Sequence, residues 1–157
     1  MPNDPSASPL WPADSPAAIA HINLLQGIIN RLANNSASCK TWCLTLVSAL
    51  LSLAGATRAP GIVTFALVPV VVFGFMDAMY LAQERAYRQL YADTVQSIRD
   101  RSYALRVAYA AGAPLTFDGF WSALKSWSIF PVYLSLLVSY LIVVYTGWLA
   151  ILLAVSK

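Results

Sequence analysis

The chain has 157 residues, of which 59% are hydrophobic and only 11% are charged, with a formal net charge of +3. Soluble globular domains carry about a quarter charged residues, so this composition excludes an ordinary soluble domain and indicates a small membrane protein. With one histidine, two cysteines and no glycine-rich phosphate loop, the sequence gives no sign of an enzyme, a metal site or a cofactor.

The N-terminal part is expected to be a disordered tail over residues 1–14 followed by a cytosolic amphipathic helix within residues 16–39. Four prolines among serine, asparagine and aspartate predict the tail, and Ser15-Pro16 is a typical helix start. At helical spacing the apolar side chains gather on one face and the amides on the other, which predicts a helix that lies on the membrane or packs on another helix. The polar face holds Asn23, Gln26, Asn30, Arg31, Asn34 and Asn35.

Residues 15–157 are predicted to form a single helical domain whose apolar runs give three transmembrane helices, over about 40–57, 61–82 and 129–155. Pro69 is expected to kink the second span near Phe65, because proline cannot donate to that carbonyl. The first span carries a stripe of small and hydroxyl-bearing residues, which is typical of close helix contact in lipid. That stripe is Thr41, Thr45, Ser48, Ser52 and Gly55.

The second span is expected to continue into the cytosol over residues 83–110, because no glycine or proline lies between Gly74 and Gly112. Seven positions, mostly aromatic or aliphatic, recur at steps of four or three residues, a pattern that requires a partner helix, either the first helix or the same segment of another subunit. They are Tyr87, Tyr91, Val95, Ile98, Ser102, Leu105 and Tyr109. Within residues 116–128, Thr116 can cap a short helix that lies at the membrane surface with its tryptophans.

The basic residues predict the orientation of the chain. With a cytosolic N-terminus, eight of the ten lysines and arginines lie inside, and only Arg58 and Lys157 lie outside. The predicted fold class is therefore an all-α membrane protein. It is expected to have three spans, an N-terminal amphipathic helix, a long cytosolic extension of the second helix and a C-terminus on the opposite side of the membrane from the N-terminus.

Asp77 is the acid nearest the predicted membrane core, and Tyr80, Glu84 and Arg88 follow it at successive turns. In a symmetric oligomer, Asp77 and Glu84 would repeat as rings at the inner mouth of a cation-selective pore. Alternatively, Asp77 lies among the lipid headgroups and pairs with Arg88 or with a nearby lysine.

Two surfaces are candidates for binding a ligand or a partner protein. The amide-rich face of the first helix could hydrogen-bond a nucleotide or a sister helix, and its alternative is plain solvated surface. The candidates there are His21, Asn23, Gln26, Asn30, Arg31 and Asn34, although His21 could equally be a packing residue. On the cytosolic extension, Tyr91 and Ile98 are candidates for docking a soluble partner. Attraction to anionic lipid explains the neighbouring arginines, so no duplex nucleic acid is expected.

Scattered polar residues carry a resemblance to a known group. The segments are His21–Trp42, Asp77–Tyr91 and Ser126–Tyr133, with Gln26, Ser36, Lys40 and Arg85 among their residues. The chain resembles small bacterial helical membrane proteins found beside phage-defence or mobile-element genes. More distantly, it is similar to the two-helix membrane effectors of nucleotide-signalling defence. The resemblance implies an oligomer that opens the inner membrane when signalled. Because the chain lacks a separate sensing domain, a cytosolic signalling protein or a nucleotide would have to act on its own helices.

Two functions follow from these observations. The first is a homo-oligomeric pore or channel, serving as an antiviral defence effector that permeabilises the inner membrane. The alternative is a non-conducting membrane anchor or assembly subunit that docks a soluble cytosolic partner.

Overall fold

The computed structural model describes residues 15–57, 59, 61–100, 113 and 115–155, with side chains as far as residue 147. The described residues form five α-helices and no strand, which confirms the all-α prediction for this part of the chain. The helices are α1 (Pro16–Thr57), α2 (Gly61–Phe65), α3 (Leu67–Arg99), α4 (Phe117–Leu124) and α5 (Phe130–Val155). Three helical segments are long and apolar enough to cross a membrane: α1, the α2–α3 pair and α5. The predicted disordered tail and the predicted helix from residue 101 to 110 lie outside the described residues.

The predicted amphipathic helix and the predicted first span are joined in α1, a single helix of 42 residues. Ser15 caps its start by accepting a hydrogen bond from the Ala18 amide at 3.2 Å. One buried stripe runs the whole length at steps of three, four or seven residues, so the same face packs inward in both halves. Its members are Ala18, His21, Leu25, Leu32, Ser36, Cys39, Cys43, Val47 and Ala54.

The second predicted span is interrupted where its proline requires. α2 ends at Phe65 and α3 begins at Leu67, with a tight turn in which the Ala66 amide donates to the Val63 carbonyl at 3.0 Å. This break between the two helices confirms the predicted disruption near Phe65. Its cause is that Pro69 has no amide hydrogen to donate to the Phe65 carbonyl.

Among the described residues α3 ends after Arg99, and its predicted continuation to about residue 110 falls on residues outside them. On its last turn the Gln96 side-chain amide donates to both Asp100 carboxylate oxygens, at 3.1 and 3.0 Å. Such a pair, four residues apart, is typical of a helix surface.

α1 and α3 lie antiparallel and form the main hairpin of the fold, and α5 packs on its apolar end. The hydrophobic core there consists of Cys43, Val47, Ala66, Val70 and Leu136. α4 begins at the predicted cap, where the Thr116 hydroxyl accepts a hydrogen bond from the Gly119 amide at 3.2 Å. It packs on α3 through Phe75 and Phe120, whose ring centroids are 5.2 Å apart.

Candidate functional site

Asp77 lies on the face of α3 that meets α1, and its side chain is fully buried. The Ser36 hydroxyl donates a hydrogen bond to one carboxylate oxygen. The Lys40 ammonium lies 2.9 Å from that oxygen and 2.7 Å from the other. It also donates to the Ser36 hydroxyl at 3.0 Å. We call Ser36, Lys40 and Asp77 the junction cluster, because they join α1 to α3 where the sequence predicts the membrane boundary.

The cluster brings a carboxylate and an ammonium together with little access to solvent. The side chain of Lys40 is 19% exposed, whereas that of Asp77 has no exposed surface. Burial of each charge costs free energy, and the two-oxygen contact with Lys40 and the hydroxyl of Ser36 offset that cost. The predicted alternative in which Asp77 pairs with a nearby lysine matches this geometry, and Arg88 is not its partner.

Glu84 and Arg88 form a second ion pair, four residues apart on α3. The Arg88 Nε and Nη2 atoms both lie 2.7 Å from the same carboxylate oxygen of Glu84. Glu84 is buried, Arg88 is 62% exposed at its side chain, and Tyr80 is half-buried. Asp77 has no exposed surface, whereas the Glu84 side chain is 10% exposed. A ring of Asp77 carboxylates at a pore mouth would therefore require α1 and α3 to separate first.

A cavity of about 400 Å³ lies between the ends of α1 and α3 that the sequence predicts to be cytosolic, and it is lined by Gln26, Ile29, Asn30, Arg88 and Tyr91. The Gln26 amide donates to the Tyr91 hydroxyl at 3.2 Å across it. We call this cavity the amide pocket. It unites four of the predicted site residues from two helices, and α1 is the partner helix that the stripe on α3 requires.

The remaining predicted binding residues lie elsewhere. Asn23, Arg31 and Asn34 are exposed on α1 and do not line the amide pocket, and Ile98 is half-buried on α3. His21 is buried among the packing residues of α1, and burial lowers its pKa from the ordinary value.

The hydroxyl stripe of the first span faces away from the other helices of the subunit. All five of its residues are exposed, and they lie on the side of α1 opposite its buried stripe. The Thr45 hydroxyl donates a hydrogen bond to the Thr41 carbonyl at 2.9 Å. A Cβ atom added to Gly55 would have no atom of another helix within 4 Å. These residues are not used for the contact between α1 and α3.

Sequence reasoning did not name which lysine pairs with Asp77, and it missed the contacts that Arg85 makes across the fold. Lys40 is the only basic residue between Arg31 and Arg58. It was therefore the one candidate in that part of the sequence for pairing with a buried Asp77. Arg85 donates to the hydroxyl of Ser126 at 2.8 Å and to that of Ser122 at 3.3 Å, linking α3 to α4. No sequence pattern distinguishes these two serines from the others.

No family model, curated protein or solved structure matches this chain. The polar residues within the segments that carry the resemblance nevertheless share a structural property, because many of them link helices. Gln26 bonds Tyr91, Ser36 and Lys40 bond Asp77, and Arg85 bonds Ser126.

Proposed function

We propose that the chain is a homo-oligomeric pore- or channel-forming protein of the bacterial inner membrane. Its N-terminus would be cytosolic and its C-terminus periplasmic, an orientation supported by the eight basic residues on one side of the spans and two on the other. The amphipathic half of α1 and the polar half of α3 would then form a two-helix cytosolic stalk.

The exposed hydroxyl stripe of α1 is the observation that carries this proposal. A membrane helix gains no hydrophobic free energy by leaving lipid for another helix, so a row of hydroxyl groups and glycine favours subunit contact or a watery path. α5 also exposes hydroxyl groups, at Ser135, Ser139 and Thr146. In an oligomer, the α1 stripes of several subunits would surround one axis and supply polar groups through the membrane.

The described conformation corresponds to the closed state in this proposal. Asp77 is held between α1 and α3 by Lys40, so its charge is neutralised and faces the interior of the subunit. Opening would separate the junction cluster and bring Asp77 and Glu84 to the inner mouth, where rings of acids favour cations.

Ion flux through liposomes tests the proposal. Purified protein should release a small cation, and Ser48→Phe on the stripe should lower that flux by about tenfold or more, because an apolar constriction expels water from a pore. Leu53→Phe is the matched control, since Leu53 is exposed on the same span but off the stripe. Liposomes that stay impermeable around a well-folded oligomer would end the proposal.

A role in antiviral defence is proposed on the resemblance. A signalling nucleotide could bind the stalk, because its polar groups could hydrogen-bond Gln26, Asn30 and Arg88 in the amide pocket. Infected cells that express the protein should then die, and a culture of them should release fewer phage than a culture of cells that lack it.

A second function is favoured by the amide pocket itself. A non-conducting membrane anchor would use the stalk to dock a soluble cytosolic signalling protein, and a pocket formed by two helices is a suitable specific contact. This function predicts a purified stoichiometric complex that is lost with Tyr91→Ala or Ile98→Ala and kept with Asn34→Ala, whose side chain is exposed outside the pocket. Ion flux without any such complex would contradict it.

A further inference from the structure

A second cavity, of about 670 Å³, lies between α3, α4 and α5 and is lined almost entirely by apolar side chains. Six of its fourteen lining residues are aromatic, including Phe75, Phe120, Trp121 and Tyr133. We call it the aromatic groove. Its size lies within the usual range of ligand sites in proteins.

The groove is built into the fold by specific packing. Gly74 lets the Tyr133 ring approach α3, because a side-chain carbon on Gly74 would lie 3.3 Å from that ring. The Tyr133 hydroxyl donates to the Phe73 carbonyl at 3.1 Å, which fixes α5 at this distance. On the other side, contact between Phe75 and Phe120 holds α4 against α3. The space is therefore bounded on three sides by helices.

Two basic residues adjoin the residues that line this groove, because Arg85 bonds serines on either side of Leu124 in the sequence and Lys125 directly follows Leu124. Arg85 bonds the hydroxyl groups of Ser122 and Ser126, and neither of the two ion pairs among the described residues includes it. Lys125, between those serines in sequence, is exposed, and Trp127 beside it is 89% exposed. Exposed tryptophan next to lysine and arginine is typical of the headgroup level of a bilayer.

We propose that the aromatic groove binds an anionic phospholipid of the leaflet at the Arg85 end of the spans. One acyl chain would occupy the groove, and the phosphate would contact Arg85 and Lys125. Basic pockets between transmembrane helices at the cytosolic side are suited to such headgroups. A helix from a second copy would fill the apolar part, but it would leave the positive charge at the rim unmatched. The proposal is independent of ion conduction, since an anchor would need the same lipid contact.

Native mass spectrometry of the full chain in mild detergent tests this proposal. Phosphatidylglycerol and phosphatidylcholine with identical acyl chains are titrated separately. One basic residue at a membrane surface contributes about fivefold in affinity for anionic lipid. The wild-type protein should therefore prefer phosphatidylglycerol by an order of magnitude, and Arg85→Gln together with Lys125→Gln should bring the ratio close to one. Arg31→Gln, an exposed arginine on α1, should leave the preference unchanged.

A second variant tests the groove separately from the charges. Val71→Phe places a larger side chain into the lining of the groove and should weaken the binding of both lipids. An unchanged circular-dichroism signal and elution volume would show that the variant still folds. Equal affinity for the two lipids in the wild-type protein would overturn the proposal. So would inorganic phosphate binding as tightly as phosphatidylglycerol. A Leu134→Cys variant that cross-links two copies regardless of added lipid would overturn the proposal and assign the groove to a second chain.

Discussion

Replacing Lys40 with methionine should destabilise the protein by about 3 kcal/mol, because it leaves the carboxylate of Asp77 buried without its positive partner. Asp77 has no exposed surface, so water cannot take over the role of the ammonium group unless α1 and α3 move apart. We place the loss at the lower end of the range for broken buried pairs, since Lys40 itself is partly exposed. The measurement is the free energy of unfolding in detergent micelles at neutral pH.

The double variant Lys40→Met with Asp77→Asn separates charge from packing. Its carboxamide keeps the shape and can still accept the Ser36 hydrogen bond, so it should recover more than half of the stability lost by Lys40→Met alone. Arg31→Met, at an exposed position on the same helix, should change the stability by about 0.5 kcal/mol or less. If Lys40→Met proves as mild as Arg31→Met, the junction cluster does not stabilise the hairpin.

Replacing Gly74 with leucine should detach α5 from the hairpin at a cost of about 2–4 kcal/mol, combining overpacking with the loss of one hydrogen bond. The first added carbon already lies 3.3 Å from the Tyr133 ring, so the rest of the side chain has no room beside it. A ring displaced from this position also withdraws its hydroxyl from the Phe73 carbonyl. Limited proteolysis of the segment between α4 and α5, alongside unfolding in micelles, measures the effect.

Gly147→Leu is the matched control for this substitution, because Gly147 lies on α5 with no atom within 4 Å of the added carbon. Tyr133→Phe isolates the hydrogen bond and should cost about 1 kcal/mol. Similar stabilities for Gly74→Leu and Gly147→Leu would contradict the packing of α5 described above.

Local chemistry made several elements predictable from the sequence. Pro69 removes a specific hydrogen-bond donor, so the kink at Phe65 follows from covalent structure alone. Thr116 caps α4 because its hydroxyl reaches an amide three residues further on. The apolar periodicity of residues 16–35 and 87–98 likewise predicted that each segment needs a packing partner, and α1 meets α3 at Gln26 and Tyr91.

Contacts between distant residues were not predictable in this way. The sequence places Asp77 at the end of an apolar run, but the depth of its burial depends on how closely α1 approaches and on the contacts of Asp77 with Ser36 and Lys40. Similarly, nothing in the first span indicates that its hydroxyl stripe faces outward instead of toward α3.

The unbroken length of α1 has a mechanical consequence. At 1.5 Å per residue the helix is about 63 Å long, with about 30 Å on either side of the point where Ser36 and Lys40 grip Asp77. Because α1 is one continuous helix that packs along its whole length, a displacement of its Gln26 end would, in the proposed pore, be transmitted along the helix toward Ser52.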